Sequence, residues 1–315
     1  MRTLFFGTPE LAVPALRLLA ADPLLRPLAV FTQPAARRSR RGGAEPSPVG
    51  QAALQLGLEL HEVASVNEGA ALERITELRP DVIVVVAFGQ FLKRVLLNLP
   101  QFGCLNFHPS ALPRYRGAAP VQRAVLEGVV DSGLTVMRLV RQMDAGPILA
   151  QVPWRLDPEL DAEQLLAQAG ELGGPMLRDV LHALPNLTAR QQLEAEATFA
   201  PPLSKQDGVL DFRLPAKRLH NVVRAMQPWP RAECVLQSPD GDRRLLVHRT
   251  QLGQGQGSPG VVLAVDSQGI TVACGEGALT LTHVQLEGKP RVAARDAANG
   301  LRLKAGGRFA LAVAG

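Results

Sequence analysis

The sequence predicts an α/β fold: a doubly wound, mainly parallel sheet followed by a small β-barrel domain. Over residues 1–150, short apolar runs alternate with segments of helical spacing, as they do in βαβ units. The run at residues 81–87 is apolar on both faces and rich in β-branched side chains, which is typical of a central parallel strand. Short strand-like pieces separated by glycine-rich turns follow near the C-terminus. The first domain is therefore expected to be Rossmann-like and the C-terminal domain OB-like.

The first domain is expected to span residues 1–186. Its predicted strands lie at residues 4–6, 28–31, 81–87 and 103–107. Its predicted helices lie at residues 9–20, 49–56, 68–78 and 161–184, and the last of these is long and amphipathic. The turn after the first strand lacks the G-x-G-x-x-G pattern, so a dinucleotide-dependent dehydrogenase is disfavoured.

A linker and a second domain are expected to follow. Residues 187–206 are polar and contain two adjacent prolines, which predicts the linker. The second domain, residues 207–315, is expected to begin with a helix at residues 215–226. Its predicted strands lie at residues 232–237, 244–250, 261–265, 270–273 and 279–285.

Composition excludes several classes of protein. The chain has 315 residues, of which 46% are hydrophobic and 20% charged, so two packed domains are expected rather than a disordered chain. No apolar run approaches the roughly 20 residues of a membrane-spanning helix, so no membrane association is expected. Cys104, Cys234 and Cys274 are widely separated, which argues against a disulfide framework and a zinc site and favours a reducing cytoplasm.

The excess of positive charge is confined to the last third of the chain. Residues 1–206 carry 20 Lys/Arg and 20 Asp/Glu, whereas residues 207–315 carry 14 and 9, which accounts for the net charge of +5. Such one-sided charge favours a polyanionic partner, for which nucleic acid is the natural choice. An ordinary solvated surface explains this charge equally well when it is considered alone.

Candidate site residues are densest between residues 103 and 120. Asn106 and His108 are two positions apart at a strand end, so their side chains point to the same side, where both can donate hydrogen bonds to a developing oxyanion. Spacing alone favours a structural role. The loop that follows shifts the interpretation towards function, because Pro109 and Pro113 stiffen it and Gly117 is expected to let the backbone approach a ligand closely.

A second polar segment lies at residues 142–146, after a predicted strand at residues 134–140. Its carboxylate, Asp144, can orient a histidine and bias its protonation. Considered alone, Asp144 is better explained as a turn residue.

Taken in chain order, these motifs resemble those of the folate-dependent formyltransferases. The matching pieces are Phe6-Gly7-Thr8-Pro9, Asn106-x-His108, Ser110-x-Leu112-Pro113, Arg116-Gly117-x-x-Pro120 and Asp144-x-Gly146. Three further pieces resemble the branch of the family that acts on methionyl-tRNA: Phe31-Thr32-Gln33-Pro34, Leu203-Ser204-Lys205 and Arg224-Ala225-Met226-Gln227-Pro228-Trp229-Pro230. The resemblance extends over essentially the whole chain.

The resemblance implies transfer of the formyl group of 10-formyltetrahydrofolate to the α-amino group of methionine on initiator methionyl-tRNA, a step that supports translation initiation. The family's catalytic residues correspond to Asn106, His108 and Asp144. Direct attack by the amine gives a tetrahedral oxyanion to which Asn106 and His108 donate, while Asp144 pairs with His108 and helps to move the proton. Neither a metal nor a nucleophilic side chain is needed.

The resemblance also implies where the folate and the tRNA bind. The folate contact corresponds to Ser110, Ala111, Leu112 and Pro113, with Phe88 as an expected apolar backing. Ala111 stands where the family usually has leucine, which leaves the folate affinity open. The acceptor stem is expected to meet Lys205 and the arginines of the loop at residues 35–45, which are Arg37, Arg38, Arg40 and Arg41.

The arginine loop and Trp229 each have a second interpretation. By its distance from Pro46, Arg40 matches the arginine that matters in the family, but without the resemblance a solvated flexible loop explains the four arginines equally well. Trp229, which lies between two prolines, is expected to be a packing plug rather than a platform for stacking on bases.

Two competing hypotheses share part of the pattern. Another folate enzyme, such as a glycinamide ribonucleotide formyltransferase or a formyltetrahydrofolate hydrolase, would lack the arginine loop and the second domain. A non-catalytic RNA-binding protein with a degenerate first domain would have lost Asn106, His108 or Asp144, and all three are present. A monomer is expected.

Overall fold

The structure, a computed structural model, describes residues 1–37, 44–238 and 240–311. The chain forms two units, each of which is discontinuous in sequence. The first unit holds the described residues up to Pro120, Asp131–Arg155 and Leu166–Ala200. The second unit holds Val121–Val130, Leu156–Leu165 and the described residues from Pro201 onward.

A seven-stranded sheet forms the centre of the first unit. The strands of this unit are β1 (Thr3–Gly7), β2 (Pro27–Thr32), β3 (Ala36–Arg37), β4 (Ala44–Glu45), β5 (Glu59–Glu62), β6 (Val82–Val86), β7 (Cys104–His108), β8 (Asp131–Arg138) and β9 (Ile148–Arg155). The sheet has the order β5-β2-β1-β6-β7-β8-β9. The first five strands in this order run parallel to one another, β8 runs antiparallel to β7, and β9 runs antiparallel to β8. Strands β3 and β4 form a separate hairpin.

The centre of this sheet is buried along its whole length. Every residue of β1, β6 and β7 is buried, as expected for apolar strands that lie between two neighbours. Phe6 packs on Phe31 and on Phe88, with ring centroids 5.0 and 5.1 Å apart. The strands therefore give a rigid base for side chains at the carboxyl edge of the sheet.

Six α-helices lie between Val13 and Ala183 in the described part of the chain. They are α1 (Val13–Ala21), α2 (Pro48–Gln55), α3 (Gly69–Glu77), α4 (Arg94–Asn98), α5 (Pro120–Glu127) and α6 (Ala162–Ala183). Helix α2 begins where Ser47 Oγ accepts a hydrogen bond from Gly50 N, with Pro48 in the first helical turn. Nearly all of α5 and the first turn of α6 belong to the second unit.

Close packing of α6 on the sheet depends on Gly173. A Cβ atom at this position would lie 2.4 Å from Cζ of Phe107, so no side chain fits. Phe107 lies between Asn106 and His108 in β7 and points to the opposite face of the strand. The packing of α6 therefore helps to fix the strand that carries these two polar residues.

The second unit is built around an antiparallel sheet. Its elements are α7 (Ala216–Ala225), β10 (Ala232–Gln237), β11 (Arg243–Gly253), β12 (Val262–Val265), β13 (Ile270–Ala273), β14 (Ala278–Leu286), β15 (Arg291–Ala293), α8 (Ala294–Leu301) and β16 (Arg308–Phe309). The strand order is β12-β13-β14-β11-β10-β16. Val262 N donates to Gly307 O, and Phe309 N donates to Gly260 O, so the two ends of the sheet meet and nearly close a barrel.

The predicted fold class, a mainly parallel α/β sheet followed by a small barrel, is confirmed. Residues 187–200 of the predicted linker belong to the first unit, where Arg190 pairs with Ile148 of β9. The predicted domain limits stay a prediction. The expectation that Trp229 is a packing plug is wrong, because its side chain is 55% exposed and the neighbouring Met226 is the residue that enters the core.

Candidate active site

Strand β7 brings Asn106 and His108 to the carboxyl edge of the sheet. The two residues alternate with Phe107, so their side chains lie on the same face of the strand, as predicted. Asn106 pairs with Met137 and His108 with Thr135 of β8. Asn106 is 9% exposed and His108 is 5% exposed. The edge of the sheet therefore presents an amide and an imidazole that are largely removed from bulk water.

The imidazole of His108 lies between two oxygen atoms. Its Nε2 is 2.9 Å from the carbonyl oxygen of Tyr115, and its Nδ1 is 3.7 Å from Oδ2 of Asp144. Because a carbonyl oxygen only accepts, Nε2 carries a hydrogen and donates to Tyr115. Nδ1 is therefore the ring nitrogen that Tyr115 does not engage, and it faces the carboxylate of Asp144.

Asp144 is held by the backbone of a different loop. It lies between β8 and β9 in the left-handed backbone region (φ 49°), and its Oδ2 accepts a hydrogen bond of 2.8 Å from Gly117 N. Gly117 itself has φ 128°, and a Cβ atom there would lie 2.5 Å from Ala200 O. The close approach predicted at Gly117 is therefore made to the protein's own backbone at Ala200, and its amide serves Asp144.

The loop at residues 110–113, the expected folate contact, is fixed from the neighbouring strands. Thr135 Oγ1 donates to Ser110 O at 2.7 Å, and Gln151 Nε2 donates to Leu112 O at 2.9 Å. Ser110, Leu112 and Pro113 are buried, whereas Ala111 is half-buried. Ala111 is thus the most accessible of these four residues.

Phe88, the expected apolar backing of the folate, lies in the core of the first unit. Its ring is 1% exposed and packs on Phe6. Its carbonyl oxygen accepts hydrogen bonds from Thr8 Oγ1 and Gln33 Nε2. The nearby Phe91 is the exposed aromatic ring of this segment, with 70% of its surface accessible.

The expected tRNA contacts are only partly described. Arg38, Arg40 and Arg41 lie outside the described residues. Arg37 forms the end of β3, which pairs with β4. Lys205 is exposed at the start of a short 3₁₀ helix, Lys205–Gly208, in the second unit.

Cys104 lies on the same strand as the candidate site but is not a suitable nucleophile. Burial raises the pKa of its thiol to about 12, so the thiol stays protonated near neutral pH. Among the described residues, no three His, Cys, Asp or Glu side chains are grouped in the way that metal ligands would be. None of the helices described is both long and apolar enough to cross a membrane.

Reasoning from the sequence missed several groups that build the site. The Tyr115 carbonyl and the Gly117 amide are backbone groups, which no residue pattern reveals. Thr135 lies between Leu134 and Val136, and Gln151 lies between Ala150 and Val152, so a polar residue flanked by apolar ones was an available signal. Gln192, which donates to the carbonyl of Asp144 at 2.8 Å, lies 48 positions further along the chain and has no local signal.

Comparisons with known proteins assign the class. A family model described as "Formyl transferase" matches residues 1–181, and one described as "Formyl transferase, C-terminal domain" matches residues 202–302. These two matches define a formyl transferase. The methionyl-tRNA formyltransferase of Ectopseudomonas mendocina (strain ymp) is 41% identical over 96% of this chain and 95% of its own length. That of Thermus thermophilus is 40% identical over 98% of this chain and 99% of its own. The chain belongs to the methionyl-tRNA formyltransferase family.

Solved structures share the fold at low sequence identity. The sugar 3N-formyl transferase WlaRD, solved in the presence of dTDP and 5-N-formyl-THF, superposes with a TM-score of 0.65 at 15% identity, covering 92% of this chain and 99% of that one. A methionyl-tRNA formyltransferase from Clostridium thermocellum gives a TM-score of 0.59 at 14% identity, covering 81% and 95%. At these identities the likeness concerns the fold alone.

Proposed function

We propose that the chain formylates the α-amino group of methionine on initiator methionyl-tRNA, with 10-formyltetrahydrofolate as the formyl donor. The proposal is carried by the grouping of Asn106, His108 and Asp144 at the carboxyl edge of the sheet in a chain of this family. Transfer of a formyl carbon between two nitrogens passes through an oxyanion and moves one proton. An amide, an imidazole and a carboxylate together supply the groups that both tasks need.

The first step is attack of the neutral amine on the formyl carbon. A C–N bond forms, and the carbonyl electron pair moves to the oxygen. Asn106 donates to this oxygen through its amide. His108 donates through Nδ1–H in its doubly protonated form, because its Nε2–H is engaged by Tyr115 O, and both ring protons stay on His108 through the cycle. Loss of one such donor typically costs about 10²–10³ in rate.

The second step moves a proton and releases the folate. Asp144, held by Gly117 N and 3.7 Å from Nδ1 of His108, takes the proton that the attacking nitrogen loses. It returns that proton to N10 of the folate as the bond between N10 and the formyl carbon breaks. The carboxylate is thereby regenerated, so no protein group is consumed in the cycle.

The folate is proposed to contact Ser110, Ala111, Leu112 and Pro113, with Phe88 behind this region. Thr135 and Gln151 already hold the carbonyls of this loop, which supports recognition by a rigid backbone rather than by mobile side chains. The small Ala111 leaves the exposed side of the loop open to a flat ring.

The acceptor stem of the tRNA is proposed to bind Lys205 and the arginine loop, whose basic residues are Arg37, Arg38, Arg40 and Arg41. Attraction to phosphates depends mainly on the number of cations near them, so a loop with four arginines suits this role. The protein is further proposed to be a monomer and to act in the reducing cytoplasm.

The activity is tested with purified protein, 10-formyltetrahydrofolate and methionyl-tRNA. Formation of formylmethionyl-tRNA on the initiator tRNA is expected, and uncharged tRNA and glycinamide ribonucleotide serve as controls. Formylation of glycinamide ribonucleotide without formylation of methionyl-tRNA would overturn the proposed acceptor. Loss of the activity in Asp144→Ala with retained tRNA binding would support the assigned site.

A further inference from the structure

Gln192 connects the two loops that hold the candidate active site. Its Nε2 donates to the carbonyl oxygens of Asp144 at 2.8 Å and Gly146 at 2.7 Å. Its Oε1 accepts a hydrogen bond of 3.0 Å from Nε of Arg116. One side-chain amide thus spans the turn that carries Asp144 and the loop that contains Tyr115, Arg116 and Gly117.

Arg116 gives this connection a fixed anchor. Its side chain is completely buried, and Nη1 donates to both carboxylate oxygens of Glu194, at 3.0 and 2.9 Å. The residues on either side of Arg116 both serve the site: the Tyr115 carbonyl accepts from His108, and the Gly117 amide donates to Asp144. Gln192 and Glu194 therefore hold Arg116, and with it the loop that contains Tyr115 and Gly117, by hydrogen bonds to its side chain.

We propose that Gln192 is a positioning residue that holds the carboxylate of Asp144 against His108. This inference rests on the proposed function, in which Asp144 moves the proton. Asp144 has a left-handed backbone, which a non-glycine residue adopts only at some cost, and Gln192 binds its carbonyl and that of Gly146 on the same turn. Without the amide donor, the turn loses the contacts that favour this conformation, and the carboxylate moves away from Nδ1.

Position 192 needs a side chain that both donates and accepts hydrogen bonds, as the amide of Gln192 does. A leucine fills a similar volume but cannot donate. A glutamate has nearly the same shape but directs a second oxygen at the two carbonyls, which repel it. Gln192→Leu and Gln192→Glu should therefore have the same effect for different reasons. The exposed neighbour Gln191 offers a matched control, Gln191→Leu.

Steady-state formylation of initiator methionyl-tRNA tests the inference. Displacement of a catalytic group by about 1 Å costs up to about 10²-fold in rate, so Gln192→Leu and Gln192→Glu are expected to lower kcat by about 10- to 10²-fold. The KM values of both substrates should stay within about threefold, because neither substrate is contacted. Gln191→Leu should behave like the parent. A kcat of Gln192→Leu equal to that of the parent overturns the inference.

A double-mutant cycle separates positioning from a general structural role. If Gln192 acts through Asp144, Gln192→Leu should change kcat by less than about twofold when Asp144 is already alanine. The same fold loss in both backgrounds overturns the inference, as does a loss that disappears when the variant is assayed well below a lowered Tm. Full activity of Asp144→Ala alone would instead contradict the proposed function. If Gln192→Leu does not fold, Gln192→Glu completes the same cycle.

Discussion

The imidazole of His108 is buried between a backbone carbonyl oxygen and a carboxylate. Tyr115 O accepts from Nε2, and Asp144 lies beside Nδ1, so the ring is oriented before any substrate is present. Such preorganisation matters because a donor that is already in place does not have to be reoriented as the oxyanion forms. The ring is also buried, which limits its contribution to attracting a polyanion.

His108→Ala is therefore expected to lower kcat by at least about 10² and to leave tRNA affinity nearly unchanged. Steady-state formylation gives the first quantity, and a binding titration with initiator methionyl-tRNA gives the second. His182→Ala is a suitable control, since His182 is half-exposed and pairs with Asp22. A collapse of tRNA affinity in His108→Ala would assign the residue to binding instead.

Among the groups of the candidate site, several side chains could be predicted from the sequence, whereas the backbone groups that hold them could not. Asn106 and His108 could be placed on one face because a strand alternates. Asp144 needed the family's motif, since it comes from a separate loop and is joined to His108 only by tertiary structure. The Gly117 amide that orients Asp144 could not be predicted, because every residue except proline has such a group.

Helix α6 acts on the site through its contact with β7. Gly173→Ala would place a methyl group 2.4 Å from the ring of Phe107. Overpacking of this kind costs about 1–3 kcal/mol, and the shift is passed to the strand that carries Asn106 and His108. A lower Tm and a lower kcat are both expected from thermal unfolding and formylation assays.

Gly300→Ala provides the matched control for this prediction. Gly300 is also helical, in α8, and a Cβ atom there meets nothing within 4 Å. The substitution should leave kcat unchanged and raise stability slightly, by up to about 1 kcal/mol. Equal effects of the two substitutions on Tm would contradict the close contact at Gly173.

Edge strand β5 is tied to α3 by a charged contact. Hydrogen bonds from Arg74 and then His61 lower the pKa of Glu59 to about 2. Since an unfolded glutamate has a pKa of about 4.3, the stabilisation is present above that pH and is lost as pH falls towards 2. Glu59 is 38% exposed, so solvent screening keeps the contribution below about 1 kcal/mol.

Glu59→Gln should accordingly be less stable than the parent at pH 6, and the difference should shrink as the pH is lowered through about 4. Thermal unfolding of both proteins across this range measures it. A difference in Tm that does not change with pH would mean that Glu59 stabilises the fold by packing rather than by its charge.

Strand β5 was not predicted from the sequence because it has little apolar pattern. Strand β5 reads Glu-Leu-His-Glu, with Leu60 as its only aliphatic side chain, because it lies at the edge of the sheet with β2 as its single strand neighbour. The central strand β6 was predicted to within one residue at each end, since a strand buried on both faces must be apolar throughout.

At the scale of the molecule, the alternation of elements was sufficient to predict the class of each domain, whereas the division into compact units depends on contacts between distant parts of the chain. Val121–Val130 lies in the middle of the first domain's sequence and yet belongs to the second unit. Its Arg123 pairs with Asp207 at 2.7 Å across 84 positions of chain. A half-buried ion pair of this range has no local pattern, so periodicity cannot detect it.

The distribution of charge leads to a prediction for the whole molecule. If basic side chains of the arginine loop and of the second unit neutralise tRNA phosphates, counterions are released, and log affinity falls linearly with log salt by about 0.9 for each phosphate contact. The affinity for initiator methionyl-tRNA should therefore drop steeply between about 50 and 200 mM salt.

The arginine loop is expected to account for part of this salt dependence. If Arg37, Arg38, Arg40 and Arg41 are replaced with serine, the slope should become shallower by the amount expected for up to about four phosphate contacts. The control Arg17→Ser, at an exposed position of α1, should leave the slope unchanged. Binding titrations over this range measure both slopes. A flat profile for the parent would contradict electrostatic binding, and an unchanged slope in the four-arginine variant would remove the loop from the tRNA interface.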